Sequence, residues 1–173
     1  LKYDGTNVNN VVGYIPTTTI ARKPMGGGTK YEDVNMLSDY RKNSFLSDGA
    51  SFSYFLDVMN IDTDYVPEVT VNDVVVDTSE YTVDYAEGKI VFNTTPPDAP
   101  LTEGQDNVII KFKKTVQKYK DCINKCTMLQ VFDNRVFFSG NPEYPNMVWN
   151  SSLHDPSYVS DLDYYKEGMD SAA

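Results

Sequence analysis

Residues 69–92, VTVNDVVVDTSEYTVDYAEGKIVF, decide the fold class. Val69 and Val71 alternate with Thr70, Asn72-Asp73 tolerate the positive φ of a two-residue hairpin turn, and Val74 and Val76 resume the alternation. Tyr81, Val83 and Tyr85 then alternate with Thr82 and Asp84, Ala86-Glu87-Gly88 supplies a turn closing on a left-handed glycine, and Ile90 and Phe92 return. Period-two patterning of this kind marks half-buried strands. After the break at Thr94-Thr95-Pro96-Pro97, Val108, Ile110 and Phe112 face one way, while Ile109, Lys111 and Lys113 face the other. Phe52, Tyr54 and Leu56 alternate upstream in the same manner. About six short strands in this order predict a small antiparallel β-sandwich, here placed over residues 49–115.

The flanks, 1–48 and 116–173, read as a second, discontinuous all-β body. Residues 11–20 contain Thr17-Thr18-Thr19, which favour extended backbone. Pro24-Met25-Gly26-Gly27-Gly28 is a loop, because a triple glycine costs too much backbone entropy inside a regular element. It is not a phosphate loop, since Thr29-Lys30 follows where Gly-Lys-Ser/Thr is needed. Residues 35–45, NMLSDYRKNSF, have no sustained helical face and read as a strap with one helical turn at most. Residues 131–158, VFDNRVFFSGNPEYPNMVWNSSLHDPSY, carry a strand through Arg135 to Phe138, a break at Ser139-Gly140-Asn141-Pro142, and a second strand, Met147–Asn150. A third break follows at His154-Asp155-Pro156. The absence of an initial Met and an unfinished strand pattern at the end suggest a fragment of a longer protein.

Composition bounds the function. A chain of 173 residues can hold one domain or two small ones, and its 40% apolar share is enough for a core without staples. No apolar run approaches the ~20 residues that span a bilayer, so no membrane partner is expected. A net charge of −10 argues against binding DNA phosphates, which takes clustered Lys and Arg. The local positive excess of residues 111–125 reads either as a contact for nucleic acid or an acidic partner or, the favoured reading, as the polar side of a strand followed by an exposed connection. Cys122 and Cys126 lack the further ligands of a zinc site and the spacing of a redox pair, and read as buried free thiols.

Taken in order, these features resemble the stabilisation or nozzle-type tail proteins of tailed bacteriophages. The resemblance rests on the hairpins V-x-V-N-[DG], Y-x-V-x-Y and G-x-[IV]-x-F and the strand N-V-x-I-x-[FY]. It also rests on the strap residues Asn35, Leu37, Ser38, Ser44 and Phe45, the cysteine-containing strand over 123–132, the Gly140-Asn141-Pro142 signature, and the step from Asp155-Pro156 to Tyr158. It covers most of the chain from Val34 onward, and departs at Phe132 to Asn134, where a tight turn replaces a longer Gly-rich loop. It implies an all-β fold in which the sandwich is inserted into strands of a partial β-propeller-like body. The implied role is a structural part of a phage or prophage tail, stabilising the head–tail connection or DNA exit nozzle. Its location would be the virion, after synthesis in the bacterial cytoplasm. Implied partners are further copies, in a homo-oligomeric ring of the full-length protein, and neighbouring tail or portal-adaptor proteins; DNA would pass by without specific binding.

No catalytic residue, metal ligand or cofactor is assigned. His154, Asp155, Ser151 and Ser152 supply triad residue types, yet near neighbours on one loop cannot reach triad geometry easily. Asn60, Asp62 and Asp64 fit the first positions of a calcium loop, but Tyr65 stands where glycine is needed and Val71 where the closing Glu belongs. The candidate interaction loop is Asn141, Pro142, Tyr144, Pro145, Trp149 and Tyr158. Its rings either anchor a partner or stack on sugars, or else Trp149 packs in the core while Tyr144 and Tyr158 cover loop ends. The first option keeps a second function open, a carbohydrate- or receptor-binding β-sandwich of a phage or bacterial surface protein.

Overall fold

The computed structural model describes residues 2–20, 30–115, 118–119 and 121–168; the triple-glycine loop lies outside them. The fold is all-β, built from several mainly antiparallel sheets with no closed barrel. The chain divides into two compact units: Leu1–Ile15, Asp33–Asp39 and Val116–Ala173 form one, Pro16–Glu32 and Tyr40–Thr115 the other.

The first unit opens with a small hairpin, β1 (Lys2–Tyr3) and β2 (Val8–Asn9), whose turn is held by Asp4 accepting the amides of Thr6 and Asn7. The chain then enters the second unit. β3 (Thr17–Thr19) runs parallel to β4 (Tyr40–Phe45) at the edge of a five-stranded sheet. β5 (Ser53–Phe55), β6 (Glu68–Val71), β7 (Val74–Val75), β8 (Tyr81–Asp84), β9 (Lys89–Phe92) and β10 (Val108–Lys113) complete the unit. Sheet orders are β3-β4-β10-β6-β7 and β5-β9-β8.

Both expected hairpins form. Asn72 and Asp73 take φ of 48° and 63°, and Gly88 takes 64°. Gly88 also admits no side chain, because a Cβ there would collide with the Val58 carbonyl. Alternation puts Val108, Ile110 and Phe112 in the core and leaves Ile109, Lys111 and Lys113 partly exposed on the other face. They meet Tyr54, Tyr81, Ile90 and Phe92 from the smaller sheet in one cluster, so the two sheets form a sandwich. Tyr54 packs edge-on against Phe45 and Phe92, at 5.2 and 5.7 Å between centroids. Its hydroxyl reaches Ser47 Oγ, and Tyr81 donates to the Pro67 carbonyl, so neither buried phenol is left unsatisfied. Phe52 departs from the expected alternation and is exposed.

The expected boundary at residues 48/49 moves. Half of the strap is strand β4, paired along its whole length with β10 from Phe45↔Val108 to Tyr40↔Lys113, so it belongs to the sandwich. Its polar sequence is accommodated by pairing: the buried Asn43 accepts the Asp57 amide, and Ser44 donates to Asp106.

The first unit resumes after residue 115. A 3₁₀ turn at Ile123–Lys125 leads into β11 (Met128–Phe132), β12 (Arg135–Ser139), β13 (Met147–Asn150) and β14 (Tyr164–Lys166), an up-and-down antiparallel sheet in chain order. Asp133 and Asn134, at φ 46° and 58°, make the two-residue turn between β11 and β12. Its core is Cys122, Ile123, Phe138, Met147, Trp149 and Val159.

Candidate functional site

The first unit holds the candidate interaction loop, and the structure separates that loop's members. Asn141 is fully buried: its Nδ2 donates to the Cys122 carbonyl and its Oδ1 accepts the amides of Glu143 and Tyr144. It is the joint of the Gly-Asn-Pro turn and has no surface to offer. Trp149 is also fully buried, at 0% exposure. Strand alternation from Met147 turns it inward, which is the core-packing alternative of the two left open for it. Its rim is aromatic. Tyr119 lies edge-on to Trp149 at 5.9 Å, to Tyr144 at 5.3 Å and to Tyr164 at 5.4 Å, and Tyr144 lies edge-on to Trp149 at 6.2 Å. Among the described residues the buried Trp149 indole N–H meets no hydrogen-bond acceptor.

Tyr144 is thus half-buried and committed to this cluster. Tyr158 is half-buried as well, its hydroxyl donating to the Asp33 carbonyl and its ring tilted against Tyr14 at 5.3 Å. Only Pro142 and Pro145 are exposed. The cluster's electrostatics are local: burial raises the pKa of Tyr119, while the hydrogen bond from Tyr119, followed by the Lys118 charge, lowers that of Tyr164. Lys118 Nζ stands 5.0 and 5.2 Å from the two ring centroids.

A second buried asparagine fixes the other side of this unit. Asn35 Nδ2 donates to the carbonyls of Tyr14 and Ser157, and its Oδ1 accepts the amides of Leu37 and Val159. All four hydrogen-bonding positions of the amide are used, so one side chain ties three separated chain segments together.

Beside it lies a cleft of about 590 Å³. Ile123, Leu129, Val136 and Phe138 form an apolar wall, and Asn10, Ser38, Asp39 and Asp121 a polar rim. Cys126 also lines it, but its thiol donates to the Cys122 carbonyl and burial pushes its pKa up, which leaves little thiolate for attack at neutral pH. Both cysteines are free thiols. Among the described residues no three His, Cys, Asp or Glu side chains converge where a metal ion could sit.

Of the triad residue types, Ser151 and Asp155 are engaged elsewhere. Ser151 Oγ accepts the Val136 amide and donates to the Ser152 carbonyl, and Asp155 caps Ser157. The acids of the calcium-like stretch are likewise held by protein groups: Asp62 accepts from Thr115, and Asp64 pairs with Lys113.

What the sequence reading missed is the exposure of β11, which lies within the strand expected over 123–132. Every residue of β11 is exposed, and Met128, Leu129, Val131 and Phe132 stand at 59%, 67%, 68% and 69%. The uncharged run from Cys126 to Phe132 is the signal that could have flagged it. No protein-family model, no curated protein and no solved structure matches this chain. Among the described residues no helix is long and apolar enough to cross a membrane.

Proposed function

We propose that this chain is a structural component of a bacteriophage or prophage tail, acting through protein–protein contacts at the head–tail connection or DNA exit nozzle and catalysing no reaction. The observation that carries the reading is the ordered set of strap, sandwich hairpins and Gly140-Asn141-Pro142 signature. Two features of the fold support it. A β-sandwich interrupts a second all-β unit, and that unit contains a four-stranded up-and-down sheet, the kind of element from which propeller blades are made. The net charge of −10 suits a wall past which DNA slides without adhering. Further copies in a ring and neighbouring tail or portal-adaptor proteins are the proposed partners.

The carbohydrate- or receptor-binding alternative draws less support, because Trp149 is buried and the half-buried Tyr144 packs against it. Peptide mass spectrometry on density-purified particles induced from the source strain tests the tail reading. Peptides from residues 131–166 at tail-component abundance are expected. Their absence from intact particles, with the protein present in the cells, would overturn it.

A further inference from the structure

We infer that β11 is the contact through which two copies of this chain pair, edge to edge and antiparallel about Gln130. β11 is the outer strand of its sheet, and among the described residues no strand pairs with its open side. It carries no charge, in a chain of net charge −10, and exposes apolar side chains on both faces. Such an edge is a template for another strand, and none of the usual protections (Lys, Pro, inward charge) is present along it.

The hydrogen-bond phase and the side-chain pattern select the same register. Phe132 and Arg135 close the two-residue hairpin, and antiparallel alternation then turns the backbone groups of Leu129 and Val131 to the open side. The Val131 carbonyl is indeed met there by the chain's own Gln130 amide, at 3.0 Å. Pairing about Gln130 sets Leu129 opposite Val131 of the second copy, so outward-facing groups meet outward-facing groups. It also sets Met128 opposite Phe132, and Gln130 opposite itself. All five residues are paired, every apolar side chain has an apolar neighbour, and Asp133 falls opposite the uncharged Thr127, not opposite its own copy. Shifting the register by two residues keeps the phase but loses pairs.

A second copy is therefore the occupant whose sequence fits this edge. The contact is isologous and closes on itself, so it is not the contact that builds a ring, and the inference stands apart from the tail reading. Five-residue strands make an interface at the small end of the range, which puts the dimer on the order of micromolar in dissociation constant.

Sedimentation velocity on the full 173-residue chain, from about 1 to 200 μM, tests this against that affinity range. A reversible monomer–dimer equilibrium is expected. The double variant Leu129→Lys with Val131→Lys, which places lysine opposite lysine at exposed positions, should weaken it at least about tenfold with the circular dichroism unchanged. Gln130→Cys should oxidise to a disulfide-linked dimer, since only the residue on the two-fold axis faces itself; Met128→Cys, facing Phe132, should cross-link far less. A chain that stays monomeric throughout overturns the inference. So does a dimer indifferent to the two lysines, or equal cross-linking at positions 128 and 130. Should the double variant fail to fold, the cysteine pair still decides.

Discussion

The two units solve the same problem differently. The sandwich covers each sheet with the other, so Val108, Ile110 and Phe112 of β10 are buried at 0% exposure. In the four-stranded sheet of the first unit no strand pairs, among the described residues, with the open side of β11, and the apolar side chains of β11 are exposed. In place of a facing sheet this unit relies on an aromatic cluster and on two buried asparagines that act as joints. The comparison teaches that packing across sheets stabilises the sandwich, whereas hydrogen-bonded connections between distant segments hold the first unit together.

The largest expected effects come from deleting the centre of each core. Trp149→Ala and Ile110→Ala should each cost about 3–5 kcal/mol in urea-unfolding free energy, while Val131→Ala should stay within about 0.5 kcal/mol. Trp149 is the one tryptophan of the chain, so its fluorescence reports the first unit and circular dichroism reports both. A Val131→Ala loss comparable to that of Ile110→Ala would mean that β11 is covered in the isolated chain.

Asn35→Asp comes next. It turns two donors into acceptors facing the carbonyls of Tyr14 and Ser157, and a loss of about 3 kcal/mol or more is expected, seen first in Trp149 fluorescence. If the fluorescence transition does not move, the side chain is not the joint described. Gly88→Ala strains the sandwich hairpin through its φ of 64° and the contact with Val58, and about 1–3 kcal/mol should be lost by circular dichroism.

The smallest effects separate two titrating groups, one in each unit. The amides of Ala50 and Ser51 hold the Asp48 carboxyl at about 2, below its ordinary 3.8. Its contribution to stability is therefore present above pH 3.8 and lost as pH falls through about 2. Burial raises the Cys122 thiol above 9.0, so its contribution is complete below that pH and is lost as pH rises past it. An NMR titration of the Asp48 carboxyl with a midpoint near 3.8 would contradict the capping geometry, as would rapid alkylation of Cys122 in the native protein for its burial.

Most of the sandwich was legible because the strands from β6 to β10 carry their own instruction: alternation for the face, Asn72-Asp73 and Gly88 for the turns. Strand β4 was not, since Tyr40-Arg41-Lys42-Asn43-Ser44-Phe45 has no apolar alternation and is a strand through its pairing with β10. That is a tertiary effect which local pattern does not encode. In the candidate site, Asn141 and Trp149 were singled out, but whether Trp149 served a contact or the core stayed open. Asn141 and Trp149 stand out in sequence because the turn and core need them, and nothing local distinguishes a buried aromatic from an exposed one. The exposure of β11 was hidden for the opposite reason: MLQVF reads like any core strand until its missing neighbour is seen.

The bonds of Asn35 have one more consequence, which concerns the order of synthesis. Everything the sandwich needs lies between residues 16 and 115, so it is complete while the last third of the chain is still on the ribosome. The first unit cannot close until Ser157 and Val159 emerge to meet an asparagine made long before. Until then the early segments wait without their partners, tethered to a finished domain. A stalled or truncated product ending before residue 157 would carry a sound sandwich and a spoiled companion, a species for proteases to recognise.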